Sequence, residues 1–177
     1  MKGHCDSMLS SLGVVLVTIV VAPGVGCAGS RSWEPAALTR VLRAEAGKLG
    51  PGYELASYGR RNPDCWGRDT APPKARRRLE KLICQGISPQ VRFCQAEFVR
   101  RGTHEDILVK VFVLQSASEA RRALATPFVK GRRRRLARHG LPRPERVGNV
   151  VLYVVGSRAN FGIIPSVFKR IRARLSR

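Results

Sequence analysis

Two hydrophobic periods take turns along the chain. In VRFCQAEFVRR, Cys94, Ala96 and Phe98 fall on one side of an extended backbone and Gln95 and Glu97 on the other, the two-residue period of a strand with one buried face. ILVKVFVLQ, residues 107–115, is almost continuously apolar, as a central strand would be. The intervening GTHED suits a hairpin loop. A strong strand is predicted over Asn149 to Val155, and a shorter one in YELASYG, with Tyr53, Leu55 and Ser57 on one side.

Helical spacing marks four other segments. Leu38, Val41, Leu42 and Leu49 share a face in SRSWEPAALTRVLRAEAGKLGPG, with Ser32 as cap, Pro35 in the first turn and Gly50-Pro51-Gly52 as stop. KARRRLEKLICQG directs Leu79, Leu82 and Ile83 inward and Arg76, Arg77, Arg78 and Lys81 outward, and Gly86 ends it. In SASEARRALA, Ser116 and Glu119 make a capping box ahead of a small-residue face, Ala120, Ala123 and Leu124. Pro127 breaks that pattern, and a basic segment, KGRRRRLARHG, follows. The last helix places Val167, Phe168, Ile171 and Leu175 on one side. RRNPDCWGRDTAPP reads as a loop. The order α-β-α-β-β-α-β-α predicts an α+β domain: a small, mainly antiparallel sheet of about four strands with helices packed on one face.

The first thirty residues change the picture. No charge occurs between Met8 and Ser30, and the densest apolar run, Leu12 to Ala22, has the length of a secretory h-region. A spanning helix needs roughly 20 apolar residues, and Pro23, Gly24 and Gly26 interrupt first. Residues 1–29 are therefore expected to be an export signal, with an N-terminal anchor as the alternative, and residues 30–177 a single domain. The run Gly24-Val25-Gly26-Cys27 resembles the lipobox of bacterial lipoproteins. That resemblance implies a diacylglycerol on Cys27, although Gly24 stands where the family carries a branched aliphatic residue. Cleavage by ordinary signal peptidase after Cys27 or Gly29 fits the small-residue rule as well. Either route places the domain outside the cytoplasm, lipid-anchored or secreted.

Charge then narrows the partners. The chain holds 33 Lys and Arg against 12 Asp and Glu, a net +21. Its 44% hydrophobic content excludes a disordered polycation. The bland alternative is that the arginine excess reflects base composition and solubility. The field that remains attracts anionic partners, and for an exported protein these are membrane headgroups or an acidic envelope polymer. Non-specific nucleic-acid binding is the alternative. Two basic constellations carry the expectation: Lys130, Arg132, Arg133, Arg134, Arg135 and Arg138, and the outer face of the last helix, Lys169, Arg170, Arg172, Arg174 and Arg177. Their bland counterpart is a pair of solvated faces. One lipid chain plus a polybasic patch makes a two-signal membrane attachment. For stacking on bases, only Phe128 and Phe168 lie near the basic residues, and Phe168 falls on the apolar side.

Cys65, Cys84 and Cys94 are disulfide candidates in an oxidising compartment. No CxxC or histidine cluster supplies metal-finger spacing, so neither a metal nor a cofactor is expected. His104 sits beside Glu105 and Asp106, but consecutive residues on a loop tip do not converge; His139 lies in an arginine run. With no nucleophile elbow, P-loop or HExxH, the expected role is non-enzymatic. A secreted enzyme is the remaining alternative, and it would need a pocket where His104 meets carboxylates. VFVLQSASEARRAL followed by VGNVVLYV resembles small extracytoplasmic proteins, often lipoproteins, of high-GC Gram-positive bacteria. The resemblance spans the last half of the chain and carries no functional residues.

Overall fold

The computed structural model describes residues 32–45, 48–49, 52–56 and 63–177. Residues 1–29, where an export signal is expected, including Cys27, lie outside the described residues, as does Ser57. Six strands form one antiparallel sheet: β1 (Tyr53–Leu55), β2 (Asp64–Trp66), β3 (Arg92–Arg100), β4 (Asp106–Val113), β5 (Glu145–Val147) and β6 (Val150–Gly156). The order is β1-β3-β4-β6-β5, and β2 also pairs with β3. β1 and β2 share the outer edge of β3 end to end, at Phe98–Arg100 and Phe93–Gln95 respectively.

Register assigns the two faces. Phe93 opposes Phe112, Gln95 opposes Lys110, and these in turn oppose Val151 and Tyr153 on β6. Cys94, Ala96 and Phe98 share the other face with Val111, Val109 and Ile107. Both faces of β4 are thus apolar, and a single layer of helices would leave one of them wet. The helices accordingly cover both. α1 (Pro35–Glu45) and α5 (Ile164–Leu175) lie on the Cys94 face: the Pro35 carbonyl is 3.7 Å from Cys65 Sγ, and Ile164 sits over Gly156. α2 (Pro73–Ile83) and α4 (Pro127–Arg138) cross the Phe93 face, while α3 (Ala117–Ala125) packs on β5 and β6. Fully burying Phe93 and Phe112 contributes about 1.5–3 kcal/mol each.

The α+β class and the antiparallel sheet match expectation. The extra strands, β2 and β5, are only three residues long, too short to show a period. The one-sided helix layer is corrected to two sides. Three local expectations also change. α1 starts at Pro35, with Leu38 N–H donating to the Glu34 carbonyl at 3.0 Å, so Ser32 lies too early to be the cap. KGRRRRLARHG belongs largely to α4, with Pro127 in its first turn and Thr126 Oγ1 accepting from Val129 N–H. Arg78 turns inward, over the Phe93 ring.

Buried polar groups tie the layers together. Asn149 accepts from Trp33 N–H (2.6 Å) and donates to the carbonyls of Leu114 (2.8 Å) and Trp33 (3.2 Å). Trp33 Nε1 donates to the Leu175 carbonyl at 2.9 Å, pinning the chain entry to the end of α5. Ser116 caps α3, accepting from Glu119 N–H at 3.1 Å. The Glu119 carboxylate reaches back to Gln115 N–H (2.9 Å) and across to Ser88 N–H (2.7 Å). Asn160 accepts from the Tyr53 hydroxyl and donates to the Asp106 carbonyl at 2.8 Å. Cys65 and Cys94, directly opposite in the β2–β3 register, form a disulfide. Cys84 stays outside that bridge, exposed at the end of α2.

A cationic cleft between two helices

An aromatic row crosses the sheet face beneath α2 and α4. Trp66 stacks on Phe93 with centroids 6.1 Å apart, Phe93 lies 5.2 Å from Phe112, and Phe112 lies 6.1 Å from Tyr153. Phe128, from the first turn of α4, meets Phe112 edge-on at 6.1 Å. Two arginines use these rings as seats. Arg78 places its guanidinium 5.2 Å from the centroid of Phe93, and Arg132 places its own 5.7 Å from that of Phe128. A guanidinium over an aromatic face gains about 0.5–2 kcal/mol and is oriented before any ligand arrives.

Between the helices is a cleft of about 170 Å³ lined by Lys74, Arg77, Arg78 and Lys81 of α2 and by Phe128 and Arg132 of α4. Five cations and a phenylalanine make up this lining, with no carboxylate in it. Lys110 and Tyr153 are cross-strand neighbours on the sheet below. Lys110 is only 7% exposed, and no described carboxylate forms an ion pair with it. Burial, reinforced by Arg78 and Arg132, pulls its pKa down to about 8, against a weaker upward pull from Asp106 and Glu97. Burial raises the Tyr153 pKa, and the same two arginines oppose the rise. The Tyr153 hydroxyl is buried and has no hydrogen-bond partner among the described residues.

The two basic constellations fare differently. Lys130, Arg133, Arg134, Arg135 and Arg138 are exposed along α4, and none of them enters an ion pair among the described residues. Only Arg132 of that group lines the cleft, where four cations of α2 join it. On α5, Arg170 and Arg174 engage the buried Glu45 at 2.7 and 3.5 Å, and Arg172 engages Glu145 at 2.6 Å. Much of that helix's charge is matched inside the chain. Lys169 and Arg177 remain exposed. The α2 contribution was missed because a helix with Arg76, Arg77 and Arg78 reads as an ordinary solvated face; its neighbour across the sheet is set by tertiary packing.

The histidine cluster does not assemble. His104 is exposed, Glu105 pairs with Arg100 at 3.4 Å, and Asp106 enters β4. His139 lies 5.5 Å from the Phe161 ring at the end of α4. Among the described residues no three His, Cys, Asp or Glu side chains converge as a metal site. A larger open groove of about 570 Å³ lies near the chain entry, between Trp33, Arg68, Gln90 and Arg92. Its floor includes the Asn149 clamp, a structural element. No protein-family model matches the chain, and no curated protein or solved structure matches it.

Proposed function

We propose that this protein is an exported, non-enzymatic envelope protein that holds to an anionic membrane surface through the face carrying α2 and α4. The observation that carries this reading is the α2–α4 cleft: five cations converge from two helices with no carboxylate among them. The exposed row Lys130, Arg133, Arg134, Arg135 and Arg138 extends the same positive face along α4. A surface of one sign concentrates counter-charges and is worth about 1 kcal/mol per basic residue close to an anionic bilayer. A lipid on Cys27 would supply the second attachment. From Cys27 to Ser32 an extended chain reaches roughly 18 Å at most, so a lipidated protein would be kept against the headgroups.

Phe128 bears on the nucleic-acid alternative. Its ring already carries Arg132 on one side and meets Phe112 with its edge, and Phe168 is buried. Neither offers a free platform for a base. Co-sedimentation with vesicles tests the membrane reading. Binding to phosphatidylglycerol vesicles should exceed binding to phosphatidylcholine vesicles and should collapse with added salt. Equal binding to both at low salt would overturn it. Selective retention on an acidic polymer or on DNA would transfer the face to those partners.

A further inference from the structure

We infer that the α2–α4 cleft is a defined receptor for one phosphoryl group, gripped between the guanidiniums of Arg78 and Arg132, with the Lys110 ammonium and the Tyr153 hydroxyl beneath it. The inference rests on the anionic-surface reading of the same face and turns a diffuse field into a site.

Three observations converge. First, the two guanidiniums come from different helices and are each seated on a ring, 5.2 Å from Phe93 and 5.7 Å from Phe128. Each is oriented by its ring, both line the same cleft, and neither is engaged in an ion pair among the described residues. An arginine on a solvated surface does not meet such a support, and preorganisation of this kind lowers the entropic cost of binding. Second, the sheet beneath the two helices holds an unmatched donor and a buried ammonium. The Tyr153 hydroxyl is buried without a hydrogen-bond partner among the described residues. Lys110, its cross-strand neighbour, is buried and forms no ion pair among the described residues, with Asp106 and Glu97 acting on it only as weaker influences. A buried donor left unmatched is costly, and buried charges are ordinarily paired. Arg78 and Arg132 act electrostatically on both groups, and Phe112, on the same sheet face as Lys110 and Tyr153, meets Phe128 of the cleft lining and stacks on Tyr153. An anion between the arginines would accept from all four groups.

Third, shape selects the class of anion. A carboxylate has two oxygens with about four acceptor positions. Two forks, an ammonium and a hydroxyl present more donors than a carboxylate can accept, and they suit the several oxygens of a tetrahedral phosphoryl group. The cleft volume of about 170 Å³ is below the range of roughly 300–1,000 Å³ that encloses whole small molecules. It takes a phosphoryl end and leaves the remainder outside. A phospholipid headgroup and a free phosphate ester share this chemistry.

Isothermal titration of the full chain with inorganic phosphate and with glycerol 3-phosphate, at constant ionic strength, tests the site. Saturable one-to-one binding is expected. The Arg78→Gln/Arg132→Gln variant should weaken it roughly tenfold or more, and Tyr153→Phe by roughly threefold. Arg40→Gln/Arg43→Gln, exposed on α1 at the other face of the sheet, should leave it within about twofold. Tyr153→Phe removes a hydroxyl with no described partner, so it retains the fold and keeps the test open if the arginine variant does not fold. Absence of saturable phosphate binding, or wild-type affinity in both Tyr153→Phe and Arg132→Gln, overturns the site. If phosphatidylglycerol vesicles still sediment the protein in that case, the surface reading survives alone. Saturable phosphate binding with equal sedimentation on neutral and anionic vesicles overturns the membrane reading and leaves a receptor for a soluble phosphate ester. Loss of vesicle binding in Arg78→Gln/Arg132→Gln identifies the headgroup as the source.

Discussion

Replacing Lys110 by methionine should stabilise the protein, and by an amount that falls as pH rises. In the folded chain the ammonium is held to about 8, first by burial and then by Arg78 and Arg132, against 10.5 for the unhindered group. Below about pH 8 both folded and unfolded chains carry the proton, so the full cost of the buried charge is present and constant. Between about 8 and 10.5 the unfolded chain binds more protons than the folded one, and stability rises with pH through that window. The gap corresponds to roughly 3 kcal/mol at about 1.36 kcal/mol per tenfold. Methionine conserves the volume and removes the charge. The variant should therefore exceed the wild type by roughly 3 kcal/mol at pH 7 and by about 1 kcal/mol or less near pH 10. Urea unfolding of both proteins from pH 7 to just below 10, with the disulfide intact and in phosphate-free buffer, measures the difference. The upper limit matters because Tyr153 has a raised pKa: above about pH 10 the unfolded chain loses that proton first and the slope reverses. A difference that stays constant across the range, or a less stable variant at pH 7, would refute the reasoning.

Three further outcomes follow from the packing. Cys65→Ala/Cys94→Ala opens a loop with a sequence separation of 29; chain entropy sets the loss at roughly 3–4 kcal/mol, a fall of roughly 10 °C in Tm by calorimetry, and an unchanged midpoint would argue against the bridge. Gly156→Ala would put a Cβ 2.5 Å from the Asp106 carbonyl oxygen, which also accepts from Ser157 N–H and Asn160 Nδ2; the strand must shift, and urea unfolding should show a loss of roughly 1–3 kcal/mol. Asn149→Leu removes the side-chain partner of Trp33 N–H and of the Trp33 and Leu114 carbonyls, at a cost of roughly 2–4 kcal/mol, and amide exchange at Trp33 should accelerate; retained protection there would mean that the clamp is dispensable.

What could be read in the sequence, and what could not, follows from length and period. β3, β4, β6 and the apolar faces of α1, α3 and α5 are long enough to repeat their period. β2 and β5, three residues each, exist because β3 and β6 offer them an edge. α4 hid for another reason. Its buried positions include only Val129 and Leu136, seven residues apart, so no apolar stripe announces it. Its signal was Thr126-Pro127, a cap followed by a first-turn proline, which resembles a break when the flanking helix is considered alone. The Gly148-Asn149-Val150 turn and the Glu119 capping box mark the clamp and the cap, both of them structural.

The net +21 cannot by itself say where a partner would sit, because the fold decides which charges are already matched. Among the described residues, Glu45 takes up Lys48, Arg170 and Arg174; Glu54, Glu105, Glu119 and Glu145 engage Arg101, Arg100, Arg122 and Arg172. None of these ion pairs reaches α2 or α4. α2 has one carboxylate, Glu80, outside the cleft lining, and α4 has none. The paired carboxylates thus lie on α1, α3, β1, β5 and the β3–β4 turn, while the α2–α4 cleft keeps its repulsion. Five like charges around one cleft oppose folding, and Lys110 beneath them adds to the cost. That cost falls when a multivalent anion enters. The same arrangement that lowers the stability of the empty protein therefore makes its binding strong and dependent on salt. Raising ionic strength should stabilise the unliganded fold while weakening its hold on anionic partners, and Arg78→Gln/Arg132→Gln should blunt both responses together if the cleft is their main source.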